Sequence, residues 1–166
     1  MRVLLVDDEI EFVTTLSNRL GMRGIKTDIV YDGQQALDYV DKNEPDVMIL
    51  DLKMPGLHGM EVLRQLSSTH PNIQVVILTG HGTEKHKEQA NRLKAFGYLT
   101  KPTDIDTLAD HIRRAYKYRM EKNMAAVAFA EQGEFETARE IAREADAFGT
   151  TGDLFKDTND PFKDKE

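Results

Sequence analysis

Short runs of branched apolar residues recur along the chain and predict buried strands. Four such runs cover residues 3–6, 25–30, 47–50 and 75–78, and a weaker fifth covers residues 98–100. The second run is interrupted by Lys26, Thr27 and Asp28. Near-continuous apolar runs of this length are typical of strands that are covered on both faces, as in a parallel sheet.

Apolar residues at helical spacing lie between these runs. Phe12, Leu16 and Leu20 fall at i, i+4 and i+8 and predict the buried stripe of a first helix. Gly21 follows at once and, with a second glycine three residues later, indicates the end of that helix. The segment 83–95 has the fewest apolar residues, so we expect a fourth helix that is mobile or faces a partner. The other stripes are Ala36, Leu37 and Val40, then Met60, Leu63 and Leu66, and then Ile105, Leu108, Ile112 and Ala115.

Strand and helix alternate five times in this pattern. The alternation predicts an α/β fold with one parallel sheet and right-handed crossovers. In open sheets of this kind, ligands bind at the carboxyl ends of the strands, beside the point where the strand order reverses. We therefore expect the functional residues directly after the apolar runs.

Polar side chains follow four of the five runs. An Asp or Thr after a strand is by itself most often a helix cap or a turn residue, and a lone Lys is most often solvated. Because the strands are predicted to be parallel, however, these side chains converge on one edge of the sheet and together predict a site. They are Asp7, Asp8 and Glu9 after the first run, Asp51 after the third, Thr79 and Gly80 after the fourth, and Lys101 and Pro102 after the fifth.

The acids of this group indicate a divalent cation. Three crowded carboxylates repel one another, and a hard ion such as Mg²⁺ relieves the repulsion while taking carboxylate oxygens as ligands. No His or Cys stands nearby at ligand spacing, so zinc is not expected. A hydroxyl and an ammonium beside such an ion indicate phosphoryl chemistry, in which Lys101 neutralises oxygen charge and Thr79 donates to a phosphoryl oxygen. One carboxylate is then the nucleophile, and Asp51, after the central strand, is the best candidate.

The overall composition narrows the classes of protein further. The chain has 166 residues, no Cys and a formal net charge of −7, which fits one domain with a modest appendage and excludes a disulfide scaffold or a thiolate metal site. No segment resembles a signal peptide or a membrane span, and we expect a cytoplasmic location. The acidic balance argues against broad binding to DNA.

The order and spacing of the strand-end residues resemble the receiver domain of two-component response regulators. The run 51–61, with the sequence DLKMPGLHGME, is similar to the phosphorylation loop of that family almost residue for residue. The resemblance covers roughly residues 1–120 and implies a flavodoxin-like, doubly wound sheet of five parallel strands in the order 2-1-3-4-5. The other residues that carry it are Asp7-Asp8, Thr79 and Lys101-Pro102.

The resemblance implies roles for the acidic residues. Asp51 is the implied phosphoacceptor, which takes its phosphoryl group from a sensor histidine kinase or a histidine phosphotransfer protein. Asp8 is implied to bind Mg²⁺ (or Mn²⁺) directly, and Asp7 mostly through water. Asp51 and the backbone carbonyl of Lys53 complete the implied protein ligands.

The same resemblance implies a switch. Lys101 is implied to hold the phosphate and to form a cis peptide bond with Pro102. Thr79 and Tyr98 are the implied switch pair: the Thr79 hydroxyl moves towards the phosphate, and the Tyr98 ring turns into the space that it leaves. This change repositions the fourth helix, the fifth strand and the fifth helix, whose face is the implied contact surface for a downstream protein or a second copy of the chain.

The C-terminal residues extend beyond a standard receiver domain. We expect the receiver at 1–120, a helical extension at 121–148 and a disordered tail at 149–166. The extension is predicted to lengthen the fifth helix and to fold back as a hairpin on the receiver or on a second subunit. A repeat-type binding surface is the alternative, because residues 133–138 resemble the turn of a tetratricopeptide-type hairpin.

Four classes of function fit these observations to different degrees. The leading hypothesis is a signalling protein rather than an enzyme with an external substrate. Its expected output is protein–protein contact, because fewer than fifty residues remain after the receiver for an effector domain. The receiver part of a DNA-binding transcriptional regulator is the alternative, although the tail lacks a helix-turn-helix pattern and DNA binding is not expected. A phosphoaspartate hydrolase usually carries a second acid two residues after its nucleophile, where Lys53 stands. A flavodoxin-like flavin binder ranks last, because the first strand leads into acids.

Overall fold

In the part of the chain that the structure describes, five parallel strands form a single sheet. They are β1 (Val3–Val6), β2 (Thr27–Val30), β3 (Val47–Leu50), β4 (Gln74–Thr79) and β5 (Gly97–Thr100). The computed structural model describes residues 1–131, and within them the strand order is β2-β1-β3-β4-β5, which confirms the expected topology. β2 is shorter than the apolar run that predicts it, because the Ile25 amide donates to the carbonyl oxygen of Leu20 in the preceding turn.

Within residues 1–131, five helices connect and follow the strands. They are α1 (Ile10–Gly21), α2 (Gly33–Lys42), α3 (Gly59–Thr69), α4 (Glu84–Arg92) and α5 (Ile105–Glu131). The Asp32 side chain caps α2 by accepting a hydrogen bond from the Gln35 amide. After α1, Gly24 takes a φ of 75° and turns the chain into β2.

The strand side chains point alternately into two apolar layers. In β1, Leu4 and Val6 belong to the layer formed with α2 and α3, whereas Val3 and Leu5 belong to the layer formed with α1 and α5. Every residue of β1 and β3 is buried. Their sequences are therefore continuous apolar runs rather than alternating ones.

Helix α1 contacts the sheet through a slightly different face from the predicted one. Val13 and Leu20, two helical turns apart, are fully buried, whereas Phe12 and Leu16 are half-buried at the margin of the layer. The predicted buried stripe is therefore correct at Leu20. In the first turns of the helix the buried face is rotated from Phe12 to Val13. Phe12 consequently lies closer to the strand ends than a core residue would.

Helix α5 (Ile105–Glu131) continues without interruption past residue 120. Arg119 attaches it to the loop that precedes β3. The guanidinium donates to the carbonyl oxygen of Pro45 at 2.6 Å and forms ion pairs with Glu44 at 3.2 Å and Asp46 at 3.3 Å. The predicted lengthening of the fifth helix is thus present, and this contact stabilises its course.

The last described turns of α5 are partly open to solvent. Met124 and Val127 are exposed. The remainder of the predicted helical extension at 121–148, including the hairpin turn, begins at residue 132 and lies outside the described residues, as does the predicted tail at 149–166. Among the described residues, no helix combines the length and apolar character needed to cross a bilayer.

Candidate functional site

The strand-end residues meet at one edge of the sheet, as their positions predict. β3 lies between β1 and β4, and β5 follows β4, so the residues after these four strands are neighbours. The backbone ladder extends into this edge. The Asp51 amide donates to the carbonyl oxygen of Val6 at 3.0 Å, and the Asp7 amide donates to that of Val30 at 3.2 Å. Asp7 and Asp51 are therefore held side by side by main-chain hydrogen bonds.

Asp7, Asp8 and Asp51 form an acidic cluster. Each offers a carboxylate oxygen, and these oxygens lie within 4.8 Å of one another. Asp7 and Asp51 are only 5% and 3% exposed. Among the described residues, Oδ1 of Asp51 is buried without a hydrogen-bond donor, which is costly for a carboxylate oxygen. The three carboxylates fit a divalent cation such as Mg²⁺, because the charge of the cation offsets their repulsion and Mg²⁺ prefers hard oxygen ligands.

Lys101 lies against the acidic cluster and carries the opposite charge. Its ammonium donates to Oδ2 of Asp7 at 2.7 Å and to Oε1 of Glu9 at 3.2 Å. Its Nζ atom lies 3.7 Å from Oδ2 of Asp51. The same atom lies 4.2 Å from the centroid of the Phe12 ring, within the range of cation–π attraction. The Lys101 ammonium is therefore within reach of the oxygen atoms of a group attached to the Asp51 carboxylate.

The ionisation of Asp7 and Lys101 reflects both burial and charge. Burial raises the pKa of the Asp7 carboxyl, and the Lys101 ammonium and the Glu9 amide lower it only in part. Burial acts to lower the pKa of Lys101, but its hydrogen bond to Asp7 and the charges of Asp7 and Asp51 outweigh burial and raise that pKa. The site thus retains the lysine proton and disfavours uncompensated carboxylate charge, a condition that a bound cation relieves.

Thr79 links the strand-end edge to the loop that follows β4. Its side chain is fully buried, and its Oγ1 accepts a hydrogen bond from the His81 amide at 3.2 Å. A displacement of this hydroxyl therefore breaks a contact with the loop, so the position of Thr79 and the course of the loop are coupled.

Tyr98 points into the protein from β5. It is 4% exposed, and its hydroxyl lies next to Gly82 and near the Thr79 methyl group. Burial, together with the charge of Glu84, raises the pKa of the Tyr98 phenol to about 12. The two residues of the implied switch pair are thus neighbours in space.

Two backbone features complete the site. The Lys101–Pro102 peptide bond is cis, as the resemblance implies. Gly59, the first residue of α3, lies so close to the Asp51 carbonyl that a Cβ atom at this position would overlap it. The start of α3 therefore packs directly against the strand end that carries Asp51. Lys53 lies exposed in the loop between β3 and α3.

The structure gives contacts at the site to Glu9, Phe12 and Gly59, and of these three the sequence placed only Glu9 at the strand ends. Glu9 belongs to the acidic run after β1, but its hydrogen bond to Lys101 depends on the side-chain path of the lysine. Phe12 has the spacing of a core residue, and its place beside the ammonium follows from the rotation of α1. The approach of Gly59 is a tertiary contact, and a glycine at a helix start does not by itself signal one.

Comparisons with known proteins agree with this arrangement. Sporulation initiation phosphotransferase F from Bacillus subtilis is 34% identical over 113 residues, which cover 68% of this chain and 91% of that protein. The C4-dicarboxylate transport transcriptional regulatory protein DctD from Pseudomonas aeruginosa is 36% identical over 147 residues, 87% of this chain. The match covers 32% of DctD, so this chain spans about a third of that relative's length.

Solved structures share the fold. A response regulator receiver domain protein from Clostridium thermocellum superposes with a TM-score of 0.67 at 31% identity, covering 72% of this chain and 96% of that one. The response regulator receiver domain family matches residues 3–113, the stretch that holds the sheet, the acidic cluster and Lys101. The chain belongs to the response regulator receiver domain family.

Proposed function

We propose that this protein accepts a phosphoryl group on Asp51, in the presence of Mg²⁺, from a phosphohistidine of a sensor histidine kinase or a histidine phosphotransfer protein. The observation that carries the proposal is the environment of Asp51. Its buried carboxylate has one oxygen without a hydrogen-bond donor among the described residues, and its other oxygen lies 3.7 Å from the Lys101 ammonium. A nucleophilic oxygen and the charge that neutralises the incoming phosphoryl group thus lie within one site.

The proposed reaction is a phosphoryl transfer between two side chains. A carboxylate oxygen of Asp51 forms a bond to phosphorus, and the bond between phosphorus and the imidazole nitrogen of the donor breaks. The electron pair of the broken bond stays with the imidazole. Lys101 neutralises charge on the phosphoryl oxygens, and the Thr79 hydroxyl donates to one of them. The chain is proposed to catalyse only its own phosphorylation and the hydrolysis of its own acyl phosphate.

The proposed metal ligands are side chains of the acidic cluster and one main-chain oxygen. Asp8 and Asp51 contribute carboxylate oxygens, Asp7 acts mostly through water, and Lys53 contributes its backbone carbonyl. When bound, Mg²⁺ (or Mn²⁺) supplies positive charge for the phosphoryl oxygens. The repulsion among three acids whose oxygens lie within 4.8 Å of one another supports this assignment.

The proposed output is a change at the face formed by α4, β5 and α5. The Thr79 hydroxyl leaves the His81 amide for the phosphate, and the inward position of Tyr98 is favoured. Phosphate shifts the population only by its stronger contacts in that state. A downstream protein, or a second copy of the chain, is the proposed partner of this face, and the cytoplasm is the proposed location.

An alternative output is supported by one relative. DctD is a transcriptional regulatory protein, and on that likeness the chain would act as the receiver part of a DNA-binding regulator. This alternative predicts that the protein retards a specific promoter fragment in a gel-shift experiment, and that the binding weakens as salt is added. The protein-contact output predicts that phosphorylation changes binding to a protein and leaves mobility of DNA unchanged.

Acetyl phosphate provides the test of the phosphoacceptor role. We expect intact-mass spectrometry to show one added phosphate in the wild type with Mg²⁺ and none with EDTA. Asp51→Asn is expected to show no gain, whereas Asp38→Asn, an exposed acid on α2, keeps it. A folded wild type that gains no phosphate from acetyl phosphate or from a panel of phosphorylated kinases would contradict the proposal.

A further inference from the structure

The loop after β4 contains a glycine that touches the ring of the switch tyrosine. Gly82 faces the end of the Tyr98 side chain. A Cβ atom built on Gly82 would overlap the Tyr98 hydroxyl, would lie 2.8 Å from Cζ of that ring and 3.0 Å from Cγ2 of Thr79. All three residues thus converge on the space that a single methyl group would occupy.

The chain around this space leaves few ways to relieve the overlap. Tyr98 is 4% exposed and its backbone belongs to β5, which pairs with β4 through Ile77. Thr79 is the last residue of β4 and fully buried. The overlap is therefore relieved either by rotation of the Tyr98 ring out of its buried position or by displacement of the loop, which is attached through the hydrogen bond from the His81 amide to Thr79.

We propose that Gly82 is a positioning residue of the switch: its missing side chain provides the space that the inward Tyr98 hydroxyl occupies. The inference rests on the proposed function, because it assigns to Gly82 the coupling between a phosphorylated site and the α4–β5–α5 face. A methyl group at position 82 excludes the inward ring and leaves the acidic cluster intact. Gly82 belongs neither to that cluster nor to the contacts of Lys101.

The same loop offers a matched control. A Cβ atom built on Gly80 meets only the Lys101 side chain, at 3.8 and 3.9 Å, which is ordinary van der Waals distance. Gly80→Ala and Gly82→Ala therefore add the same methyl group to the same loop, two residues apart. Only the second addition conflicts with Tyr98.

The ring position is measured directly by nuclear Overhauser contacts in isotope-labelled full-length protein. The chain has five tyrosines, and Tyr98→Phe assigns the signals of this one. We expect contacts between the Tyr98 ring and the Thr79 methyl group in the wild type and in Gly80→Ala, and their loss in Gly82→Ala. Retention of these contacts in Gly82→Ala at wild-type strength would overturn the inference.

The coupling between the phosphorylated site and the α4–β5–α5 face is measured in the same samples after treatment with acetyl phosphate and Mg²⁺. We expect Gly82→Ala to gain one phosphate by intact mass, as the wild type does, while phosphate-induced amide shifts in α4, β5 and α5 fall to less than half of their wild-type size. Full-size shifts in this variant would contradict the inference. Absence of phosphate from all variants would refute the proposed function instead, and the ring contacts would still decide the role of Gly82.

A double variant covers the case in which Gly82→Ala does not fold. Tyr98→Leu removes the hydroxyl and Cζ, the two tyrosine atoms that conflict with a methyl group at position 82. We expect the double variant with Tyr98→Leu and Gly82→Ala to fold like Tyr98→Leu alone, as judged by circular dichroism and the midpoint of urea unfolding. A double variant that stays unfolded would show that the glycine is needed for the loop itself and would overturn the inference.

Discussion

The Asp7 carboxylate is held in a place where burial and the neighbouring charge of Asp51 oppose its ionisation. This residue is 5% exposed, lies beside two other acids and is held by Lys101 at 2.7 Å. Burial raises its pKa despite the lysine. Such a group is poorly solvated in the metal-free protein and well suited to a cation. The arrangement that we propose for metal binding is therefore expected to lower the stability of the metal-free fold.

Asp7→Asn tests this expectation. Without metal, we expect the variant to be at least as stable as the wild type, because removal of one buried charge offsets the loss of one hydrogen bond. The amide oxygen still accepts from Lys101, whereas the Glu9 amide loses its acceptor on this side chain. With millimolar Mg²⁺, the thermal midpoint of the wild type is expected to rise through preferential binding to the folded state, and that of Asp7→Asn to rise much less. Thermal denaturation followed by circular dichroism measures both. A variant that responds to Mg²⁺ as strongly as the Asp38→Asn control would contradict the assignment of Asp7 to the metal site.

The Tyr98 phenol predicts a loss of stability at high pH. Its pKa is raised to about 12 in the folded state, against about 10 for an unperturbed tyrosine. Because the folded state keeps the proton longer, the stabilising contribution is complete below pH 10 and is lost as the pH rises towards 12. The full effect is on the order of 2 to 3 kcal/mol, because each pKa unit corresponds to about 1.4 kcal/mol.

Urea unfolding between pH 9 and 11.5 measures this effect. We expect the free energy of unfolding of the wild type to fall more steeply with pH than that of Tyr98→Phe, which has no proton to lose at this position. Tyr39, whose pKa is also raised to about 12, is present in both proteins and contributes equally. Parallel pH profiles would show that the Tyr98 phenol is not held in the buried position.

Among the strands and helices, the sequence best predicts the bounds of the elements that are buried on both faces. β1 and β3 have the predicted bounds because every residue in them is apolar and buried. β2 is less well predicted, because none of its residues is fully buried and part of the apolar run belongs to a turn. The rotation of α1 is also not predictable from spacing alone, since Val13 and Phe12 are both apolar and only packing decides which one faces the sheet.

The junction between β3 and α3 predicts a large effect of one methyl group. In Gly59→Ala, the new Cβ atom overlaps the carbonyl oxygen of Asp51 and lies 2.8 Å from Cα of Leu52, both backbone atoms. We expect a loss of about 2 kcal/mol or more in the free energy of unfolding, because neither atom can move without shifting β3 or α3. Gly21→Ala is the control, since nothing lies within 4 Å of the added atom. Its expected change is less than about 1 kcal/mol. Equal losses in urea unfolding would contradict the packing account.

The attachment of α5 predicts a second difference between similar substitutions. Arg119 is 14% exposed in its pair with Glu44 and also donates to the Pro45 carbonyl oxygen. Arg114 pairs with Asp110 on the solvent side, where both side chains are more than half exposed. We expect Arg119→Ala to cost about 1 to 3 kcal/mol and Arg114→Ala less than about 0.5 kcal/mol.

Amide hydrogen exchange locates the effect of the Arg119 substitution. Faster exchange is expected along α5 from residue 117 onwards in Arg119→Ala, with little change in β1 and β3. Unchanged exchange in this part of the helix would show that the arginine does not hold it against the loop before β3.

At the scale of the whole molecule, the topology brings the site together. The sequence predicts the parallel order and therefore the meeting of Asp7, Asp51, Thr79 and Lys101, because strand ends of a parallel sheet share one edge. It does not predict that Lys101 lies nearer to Asp7 and Glu9 than to Asp51. That preference depends on the path of a flexible side chain beside Phe12. The contact of Gly82 with Tyr98 likewise depends on a ring orientation that no spacing encodes.

Chemical trapping identifies the phosphorylated residue itself and shows whether Asp51 carries the phosphoryl group. Protein treated with acetyl phosphate and Mg²⁺ is reduced with borohydride, which converts an aspartyl phosphate to homoserine, and is then digested and mapped by tandem mass spectrometry. We expect homoserine at position 51 in the wild type, and none at that position when acetyl phosphate is omitted or when EDTA replaces Mg²⁺. Homoserine at Asp7 or Asp8 instead, or no homoserine in protein that has gained phosphate by intact mass, would contradict phosphorylation of Asp51.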